Sequence, residues 1–436
     1  MTRVGVSVVD ITPPPGGAMA GFAARQAPAE GAHDALTVRA LVVEDTALVA
    51  VDVIGIDAAL SARVRARSPL PAQNITLAAT HTHGGPVSMP GRLADRADAE
   101  FLRRLETGIL RAIEEAAQAR QPARLYGGCG AEPGFASNRR HAGGPVDRGG
   151  PVLRFDRMDG TVLAYFVSYA CHPVVLGADN LHWTADYPHF LRARLEAASP
   201  GAIAIFATGC AGDVNTGHSA AASLSRARQS DRTYDRARVI GEGVAQAALA
   251  ADLAPLTGAS GAGEGFDSLR FAPREVGDRA DLARRWRAAS QAPGDIHAIW
   301  AEWAEQRMGR EIDPMPARCT ALHWAGARIL GLPGEIFART ALDLRQSLGG
   351  TGPLHIIAYA DDNPGYIPPR EEFDAGGYEV EEAHRFYGMG ASIAPGVAEA
   401  LSQAAQRAAE TAAIATAEGC SIKTSNNKES SHDIQG

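Results

Sequence analysis

The sequence contains 436 residues, of which 45% are hydrophobic and 21% are charged. These proportions are typical of a globular protein and exclude a fibrous or intrinsically disordered chain. The formal net charge of -8 argues against a nucleic-acid partner, because binding to phosphates requires a basic surface that displaces counterions.

Residues 1–17 contain no apolar run of signal-peptide length, and no later segment is long and apolar enough to span a membrane. We therefore expect a cytoplasmic protein without stable membrane insertion. The five cysteines are scattered without CxxC spacing, which indicates neither a disulfide framework nor a cysteine zinc site.

The first half of the chain reads as strands with one clear helix. β-rich runs predict strands at residues 4–11, 37–43 and 47–53, and the last two are expected to form a hairpin. A further strand at residues 75–79 leads directly into Thr80-His81-Thr82-His83-Gly84. Helical periodicity then predicts an amphipathic helix over residues 97–118.

The second half combines strands and helices. The pattern predicts strands at 152–155, 162–169, 203–206 and 327–332, and helices at 236–251, 279–310, 336–348 and over most of 379–415. Residues 416–436 are polar, so we expect a disordered tail. The fold class is predicted as mixed α/β, with mixed β-sheets flanked by helices in one domain over residues 1–415.

Several polar residues that can bind metal follow predicted strands. His81 and His83 follow one strand, His172 follows another, and Asp213 and Glu335 lie in short glycine-containing loops after further strands. Strand ends can converge at one sheet edge, and hydrolytic zinc sites use nitrogen and oxygen ligands. The alternatives are structural histidines and, for Glu335, a charge at a helix N-terminus.

A resemblance to a known family adds to these observations. Seven segments occur in the order found in the catalytic domain of neutral/alkaline ceramidases, over residues 1 to about 400. They are Gly5-Val6-Ser7-Val8-Val9-Asp10-Ile11-Thr12, residues 80–86, Asn138-Arg139-Arg140, His172-Pro173, Gly212-Asp213-Val214, Pro333-Gly334-Glu335 and residues 366–379.

The resemblance implies a zinc cofactor and assigns roles to individual residues. It implies metal ligands at His81, His172, Glu335 and Tyr366, a place beside the metal for His83, catalytic residues at Arg139 and Tyr378, and a pocket-lining loop containing Asp213. Zinc would activate water as the nucleophile. Arg139 and Tyr378 would stabilise the oxyanion, and His83 would pass a proton to the departing amine.

Two departures from the family pattern bear on the mechanism. The family continues Gly-Asp-Val with Ser-Pro-Asn, whereas this chain reads Asn215-Thr216-Gly217, so a serine nucleophile at this place is excluded. Asn215 can still donate a hydrogen bond, and we expect it to contact substrate. Gly84 also stands where the family commonly has serine.

We expect the substrate to be a small-molecule N-acyl amide, with ceramide as one candidate. The same site would serve an ester or a lactone, and a non-catalytic binding protein is a further alternative. A cysteine hydrolase using Cys210 is the weakest alternative, and Arg140 competes with Arg139 for the inward position. The sequence does not indicate the oligomeric state.

Overall fold

The structure is a computed structural model that describes residues 2–25, 27–93, 97–219, 230–272, 277–291, 296–310, 312–350 and 352–429, the last twelve of these by backbone alone. Its strands are β1 (Thr2–Asp10), β2 (Gly31–Ala32), β3 (Thr37–Val43), β4 (Thr46–Val51), β5 (Ile75–Ala79), β6 (Gln121–Cys129), β7 (Ser137–Asn138), β8 (Pro151–Arg157), β9 (Val162–Tyr169), β10 (His182–Trp183), β11 (Ile203–Thr208), β12 (Val214–Asn215), β13 (Ala254–Leu256), β14 (Ser260–Leu269), β15 (Met315–Trp324), β16 (Ala327–Gly331), β17 (Glu335–Ile336), β18 (Leu354–Ile357) and β19 (Tyr366–Ile367).

The α-helices are α1 (Ala58–Arg67), α2 (Ala99–Gln118), α3 (Tyr187–Ala198), α4 (Tyr234–Leu249), α5 (Arg279–Ala289), α6 (Ile296–Gln306), α7 (Ala338–Leu348) and α8 (Val397–Glu429). Short 3₁₀ turns lie at Ala72–Asn74, Arg370–Glu372 and Ala383–Arg385, and one π-helical turn spans Tyr378–Glu382.

Two mixed sheets form the centre of the fold. The larger sheet has the order β11-β9-β8-β6-β1-β3-β4-β5, and β13 pairs with β6 at its side. Its pairs are antiparallel except for β4 with β5 and β9 with β11. The smaller sheet has the order β14-β15-β16-β18, in which only β16 and β18 are parallel.

Alternation of side chains along the strands builds layers on both sides of the larger sheet. In β3, Val38, Ala40 and Val42 join the apolar cluster that contains residues of α2, whereas Leu41 and Val43 face the opposite way. This second cluster also contains Trp324 of the smaller sheet, so the two sheets pack face to face. α3 packs on β11, and α8 covers β14 and β15. The architecture is helix, sheet, sheet, helix.

The predicted mixed α/β class with sheets flanked by helices is therefore confirmed. The prediction of one helix over residues 279–310 is wrong, because α5 ends at Ala289 and α6 begins at Ile296. The intervening sequence contains Pro293 and Gly294, which disfavour helix continuation. Residues 292–295 lie outside the described residues.

The region predicted as mostly helical over residues 379–415 is also more broken than expected. The π-helical and 3₁₀ turns give way to a loop that contains Gly388, Gly390 and Pro395, and α8 begins only at Val397. Glycine and proline in this spacing interrupt helices. α8 extends to Glu429, so the disorder of residues 416–436 stays a prediction, and residues 430–436 are outside the described part.

A buried ion pair fixes the edge of the larger sheet where the site forms. The Asp52 carboxylate, which directly follows β4, is fully buried and accepts two hydrogen bonds from the Arg192 guanidinium of α3, at 2.8 and 2.9 Å. It also accepts bonds from the Thr37 backbone N–H and hydroxyl and from the Thr80 hydroxyl. Thr80 immediately precedes His81, so this network holds the start of the histidine loop.

We predict that Asp52→Asn lowers the free energy of unfolding by about 3–5 kcal/mol, since it leaves the buried Arg192 charge without its hydrogen-bonded counter-charge. Burial raises the pKa of Asp52, but Arg192 and Thr37 outweigh it, and the net pKa is lowered. The stabilisation is therefore complete above the ordinary carboxyl pKa of about 3.9 and is lost as the pH falls through the lower folded value.

Urea denaturation at several pH values measures this effect. The difference between wild type and Asp52→Asn is expected to shrink below about pH 4. Asp45→Asn, at an exposed turn, is the matched control and is expected to change little. An Asp52→Asn protein as stable as wild type at pH 7 would contradict the assignment.

Candidate metal centre

His81 lies two residues beyond β5 in a backbone conformation that is uncommon outside glycine, with φ of 63°. Its backbone N–H donates to the Val53 carbonyl at 3.0 Å. Its Nδ1 lies 2.6 Å from the Ile54 carbonyl oxygen, which can only accept, so Nδ1 carries the proton. In the neutral ring, Nε2 then has an unprotonated lone pair.

His172 is held in the same way from the other side. Its backbone N–H donates to the Val214 carbonyl at 3.0 Å, and its Nδ1 donates to the Ala211 carbonyl at 2.6 Å. Bonding of one ring nitrogen to a backbone carbonyl fixes the tautomer and orients the other nitrogen, as is usual for histidines that bind metals.

The unprotonated nitrogens of these rings face one another. His81 Nε2 lies 3.0 Å from His172 Nε2, and His83 Nε2 lies 3.3 Å from His81 Nε2. Two lone pairs at this distance repel and cannot form a hydrogen bond, whereas a cation between them would bind both. Ligand atoms of all three histidines lie within 4.8 Å of one another, so this group can hold a metal ion.

Glu335 brings a carboxylate to the same point. Its Oε2 lies 3.0 Å from His172 Nε2 and 3.4 Å from His81 Nε2, and it is buried without a hydrogen-bond partner. The other oxygen, Oε1, accepts a hydrogen bond from the Tyr387 hydroxyl. An orphaned, buried carboxylate oxygen beside two imidazole nitrogens fits a divalent cation, because these are the nitrogen and oxygen ligands of hydrolytic metal sites.

The electrostatics of the cluster favour the protonation states that bind metal. Burial lowers the pKa of His172 to about 4, and burial together with the neighbouring histidines lowers the pKa of His83 well below its usual value. Burial alone would raise the pKa of Glu335, but His81 and His172 outweigh it and lower this pKa. At neutral pH the site therefore offers the neutral imidazoles of His83 and His172 and the carboxylate of Glu335.

The backbone conformation at position 334, directly before Glu335, requires glycine. Gly334 has φ of 77°, and a Cβ at this position would lie 2.7 Å from the Ile367 side chain and 2.8 Å from the Gly365 carbonyl oxygen. Only glycine fits such a conformation and such a close approach. The Pro-Gly-Glu sequence thus sets Glu335 at the start of β17.

Tyr366 is brought next to Glu335 by strand pairing, since the two residues are partners in the parallel β17–β19 bridge. The Tyr366 hydroxyl accepts a hydrogen bond from Arg139 Nη2 at 3.0 Å. Arg139 also pairs with the Glu379 carboxylate at 2.8 Å and with the Gly212 carbonyl at 2.9 Å.

The two adjacent arginines have different partners. Arg139 contacts Tyr366, whereas Arg140 pairs with Glu372 at 2.9 Å and with Glu379 at 2.6 Å. Both therefore stabilise the segment around Glu379, and of the two it is Arg139 that faces the cluster.

A cavity of about 960 Å³ opens beside the cluster. Tyr378 lines it, and its ring centroid is 5.9 Å from that of Tyr366. Gly21 and Phe22 line it as well and contact His83, since a Cβ on Gly21 would lie 2.6 Å from the His83 ring and the Phe22 ring centroid is 5.0 Å away. Tyr378 and the residues that contact His83 thus lie between the histidines and a cavity large enough for a small molecule.

Asp213 and Asn215 lie near the cluster, but their polar atoms are engaged elsewhere. Asp213 accepts hydrogen bonds from the Ala338 backbone N–H at 2.8 Å and from Asn138 at 2.7 Å, and burial raises its pKa to about 6. The Asn215 side chain bonds to the backbone of Gly217 and His218. Both residues fold the loop that carries Arg139 and Gly212 rather than point into open space.

Two site residues escape sequence reasoning. Tyr387 bonds to Glu335, and the Tyr359 ring stacks on His81 with centroids 4.0 Å apart. Neither lies in a motif, and the glycines around Tyr387 only indicate a loop. The sequence gives one indication for Tyr359, which comes just after the strand-like run at residues 354–358. Other residues of the site also follow strands.

Cys210 lacks the features of a nucleophile. Its thiol is fully buried, and burial raises its pKa well above the usual value. Reactive cysteines instead have lowered pKa values and partial exposure.

The fold and the site define a class: a helix-sheet-sheet-helix protein with a buried cluster of histidines and a carboxylate that can hold a metal ion. A family model described as neutral/alkaline non-lysosomal ceramidase, N-terminal, matches residues 2–233, which is more than half of the chain. The chain belongs to this family, as its motifs predicted.

Solved structures of ceramidases share the fold. The neutral ceramidase from Pseudomonas aeruginosa is 20% identical and superposes with a TM-score of 0.73 over 92% of this chain and 73% of its own. A structure described as ceramidase complexed with C2 is 19% identical, with a TM-score of 0.70 over 92% of this chain and 74% of its own. No curated protein matches the sequence. Among the described helices, none combines the length and apolar character that a membrane crossing requires.

We predict that the purified protein binds about one equivalent of zinc and that His172→Ala weakens this binding by roughly 100-fold or more, since loss of a ligand exceeds the effect of an outer contact. Competition with a chromophoric chelator measures the affinity. His182→Ala, at an exposed position, is the matched control and should bind as wild type does. Equal affinity of the His172→Ala and wild-type proteins would exclude this cluster as the metal centre.

A second prediction concerns the tyrosine that touches Glu335. Tyr387→Phe removes only the hydroxyl that bonds to Oε1, and we expect it to lower zinc affinity by about 10- to 100-fold, as for other outer contacts of metal ligands. The same chelator titration measures it, and circular dichroism checks folding. An unchanged affinity would show that the hydroxyl does not orient Glu335.

Proposed function

We propose that this protein is a zinc-dependent hydrolase that cleaves the amide bond of an N-acyl compound, with one catalytic domain over residues 1–415. Family membership and fold support a ceramide-type amide hydrolase. The observation that carries the metal-dependent mechanism is the meeting of unprotonated nitrogens of His81 and His172 with the orphaned oxygen of Glu335.

The proposed ligands are His81, His172, Glu335 and Tyr366. The first three present their atoms to one point, and strand pairing sets Tyr366 beside Glu335. Zinc, when bound, supplies Lewis-acid chemistry that activates water and polarises a carbonyl. His83 lies next to these ligands, with its Nε2 3.3 Å from His81 Nε2.

The residues of the chain then perform binding and proton transfer. We assign Tyr378 and Arg139 to the oxyanion that develops on the acyl carbon, where such a donor is typically worth about 3 kcal/mol. Tyr378 faces the cavity directly, and Arg139 acts in part through its bond to the Tyr366 hydroxyl. Asp213 and Asn215 contribute to substrate binding through the loop that they fold.

His83 is the proposed proton carrier to the leaving amine. Its side chain lies between the cluster and Phe22 of the cavity wall, and its Nδ1 is buried without a hydrogen-bond partner. Since burial and the neighbouring histidines lower its pKa, the ring is neutral before the reaction and readily releases any proton it takes up.

The cavity supports a small-molecule N-acyl amide as substrate, because apolar and aromatic side chains such as Phe101, Trp183 and Trp303 line it beside a few polar groups. Ceramide is one candidate among such amides. An ester or a lactone would meet the same groups, and substrate profiling distinguishes these classes.

We predict that the zinc-loaded protein hydrolyses N-acyl amides faster than matched esters, relative to the uncatalysed reactions, and that a chelator abolishes this activity. His81→Ala should abolish it as well, because it removes a metal ligand, whereas the exposed His182→Ala should retain it. Release of free amine and free alcohol from short and long acyl chains is the measurement. Preference for esters would overturn the substrate class, and a zinc-loaded protein without hydrolysis would indicate a binding protein.

A further inference from the structure

The wall of the cavity next to His83 contains a buried cation, Arg25. The Arg25 side chain lines the cavity, and only 7% of the residue is exposed. Its Nη1 donates to the His83 backbone carbonyl at 2.8 Å and to the Ala20 carbonyl at 3.1 Å, and its Nη2 donates to the Gly177 carbonyl at 3.3 Å. The Nε–H group is buried without a partner.

Within the described part of the chain, no carboxylate forms an ion pair with Arg25, and its hydrogen bonds all go to backbone carbonyls. A buried charge normally has a charged partner, because hydrogen bonds to neutral groups offset only part of the lost hydration. The charge of Arg25 is therefore incompletely balanced in the free protein.

A second buried cation increases this imbalance. The guanidinium carbons of Arg25 and Arg232 lie 4.7 and 5.4 Å from the centroid of the same Phe22 ring. Burial first, and then the repulsion from Arg232, lower the pKa of Arg25 to about 9, and the smaller opposing effects of Asp179 and Tyr234 do not restore it. Arg25 thus shares its buried surroundings with a second guanidinium group.

Arg232 is less available to a ligand than Arg25. Its guanidinium donates to the backbone carbonyls of Val174, Val175 and Leu176, and Asp179, Asp186 and Asp231 act on its charge. It does not line the cavity, whereas Arg25 does. Arg25 is therefore the cation that a substrate would meet.

We propose that the substrate of this hydrolase carries a carboxylate on its amine portion, as in an N-acyl amino acid, and that Arg25 is the residue that selects it. The inference rests on the proposed function, which it deepens by naming the substrate class. An anionic group at Arg25 would balance the buried charge, so that the free energy of binding would favour it over a neutral amide.

The proposed role of His83 indicates which part of the substrate would contact Arg25. His83 passes the proton to the departing nitrogen, so the amine portion of the substrate lies next to it. Arg25 contacts the backbone of His83 and therefore lies on the amine side, whereas the apolar wall with Phe101 and Trp303 remains for the acyl chain.

The reaction balances as an ordinary hydrolysis. Hydroxide from water bonds to the acyl carbon, the carbon–nitrogen bond breaks, and the remaining proton of that water moves to the amine nitrogen. The products are a carboxylic acid and a free amino acid, and no oxidant or other co-reactant is consumed.

The test compares N-octanoylglycine with N-octanoylglycinamide, which differ only in the charge of the terminal group. We expect kcat/KM of the zinc-loaded full chain to favour the carboxylate by about 10- to 100-fold, the discrimination that a charge-assisted contact provides. Arg25→Met should reduce this ratio by about tenfold or more, mainly through KM, and Arg25→Lys should retain part of it. Arg111→Met, on the exposed face of α2, is the control and should keep the wild-type ratio.

Each outcome decides the assignment. A wild-type protein that cleaves the glycinamide equally well would overturn the substrate class but leave the amide hydrolase in place. A carboxylate preference that survives in a folded Arg25→Met protein would assign the selectivity to another group, such as the metal. If Arg25→Met fails to fold, Arg25→Lys and the wild-type ratio decide.

If neither compound is cleaved, the panel of N-acyl amides and esters decides the proposed function, and calorimetric binding of the same two compounds to wild type and Arg25→Met decides the carboxylate assignment. Tighter binding of N-octanoylglycine that is lost in Arg25→Met would support Arg25 as the anion-binding residue. Equal binding of the two compounds would overturn it.

Discussion

The buried Asp52 carboxylate is the contact on which the geometry of the site depends. It receives hydrogen bonds from the first residue of β3, from the loop before His81 and from α3, so that three separate parts of the chain share one charge. The Thr208 hydroxyl at the end of β11 donates in turn to the Thr80 carbonyl at 2.6 Å. The exits of β5 and β11 are thereby joined, and the unusual backbone of His81 is supported on both sides.

Backbone carbonyls then determine what the histidines can do. Since each Nδ1 donates to a carbonyl, the two Nε2 atoms can only present lone pairs to one another. This arrangement is unfavourable without a cation, because the lone pairs of neutral rings repel at 3.0 Å and burial disfavours protonation of His172. The repulsion between the two Nε2 atoms is therefore built into the loops that follow the strands. A metal ion bound between them, with Glu335 as counter-charge, would remove this repulsion.

Local patterns predict the parts of this site that follow strands. His81, His172 and Glu335 could be singled out from the sequence because each follows a β-rich run and lies within three residues of a glycine or proline. The mixed α/β class was predictable for the same reason, and β5 and β9 were predicted with the bounds that the structure shows. The role of Tyr366 came only from the family resemblance, since a two-residue strand such as β19 leaves no periodic signal.

The rest depends on tertiary contacts that have no local pattern. Tyr387 reaches Glu335 across 52 residues of sequence, and Arg25 reaches the His83 carbonyl across 58. β14 escaped prediction because glycines alternate along it, and these glycines allow α8 to approach closely: a Cβ on Gly265 would lie 1.8 Å from the Ala404 carbonyl oxygen. The glycines of β14 disfavour a strand locally, but the close packing of α8 requires them.

The helix α6 and the residue that follows it connect the shape of the cavity to the histidine and glutamate cluster. Trp303 lines the cavity, and its indole N–H donates to the Met389 carbonyl at 2.7 Å, while Arg307 donates to the Gly388 carbonyl at 2.6 Å. Both bonds hold the segment that carries Tyr378 and Tyr387. Because Tyr378 faces the cavity and Tyr387 bonds to Glu335, a change in the helical wall would move a cavity-lining residue and a contact of Glu335 together. The shape of the cavity and the position of Glu335 are therefore set by one packing unit rather than by two independent ones.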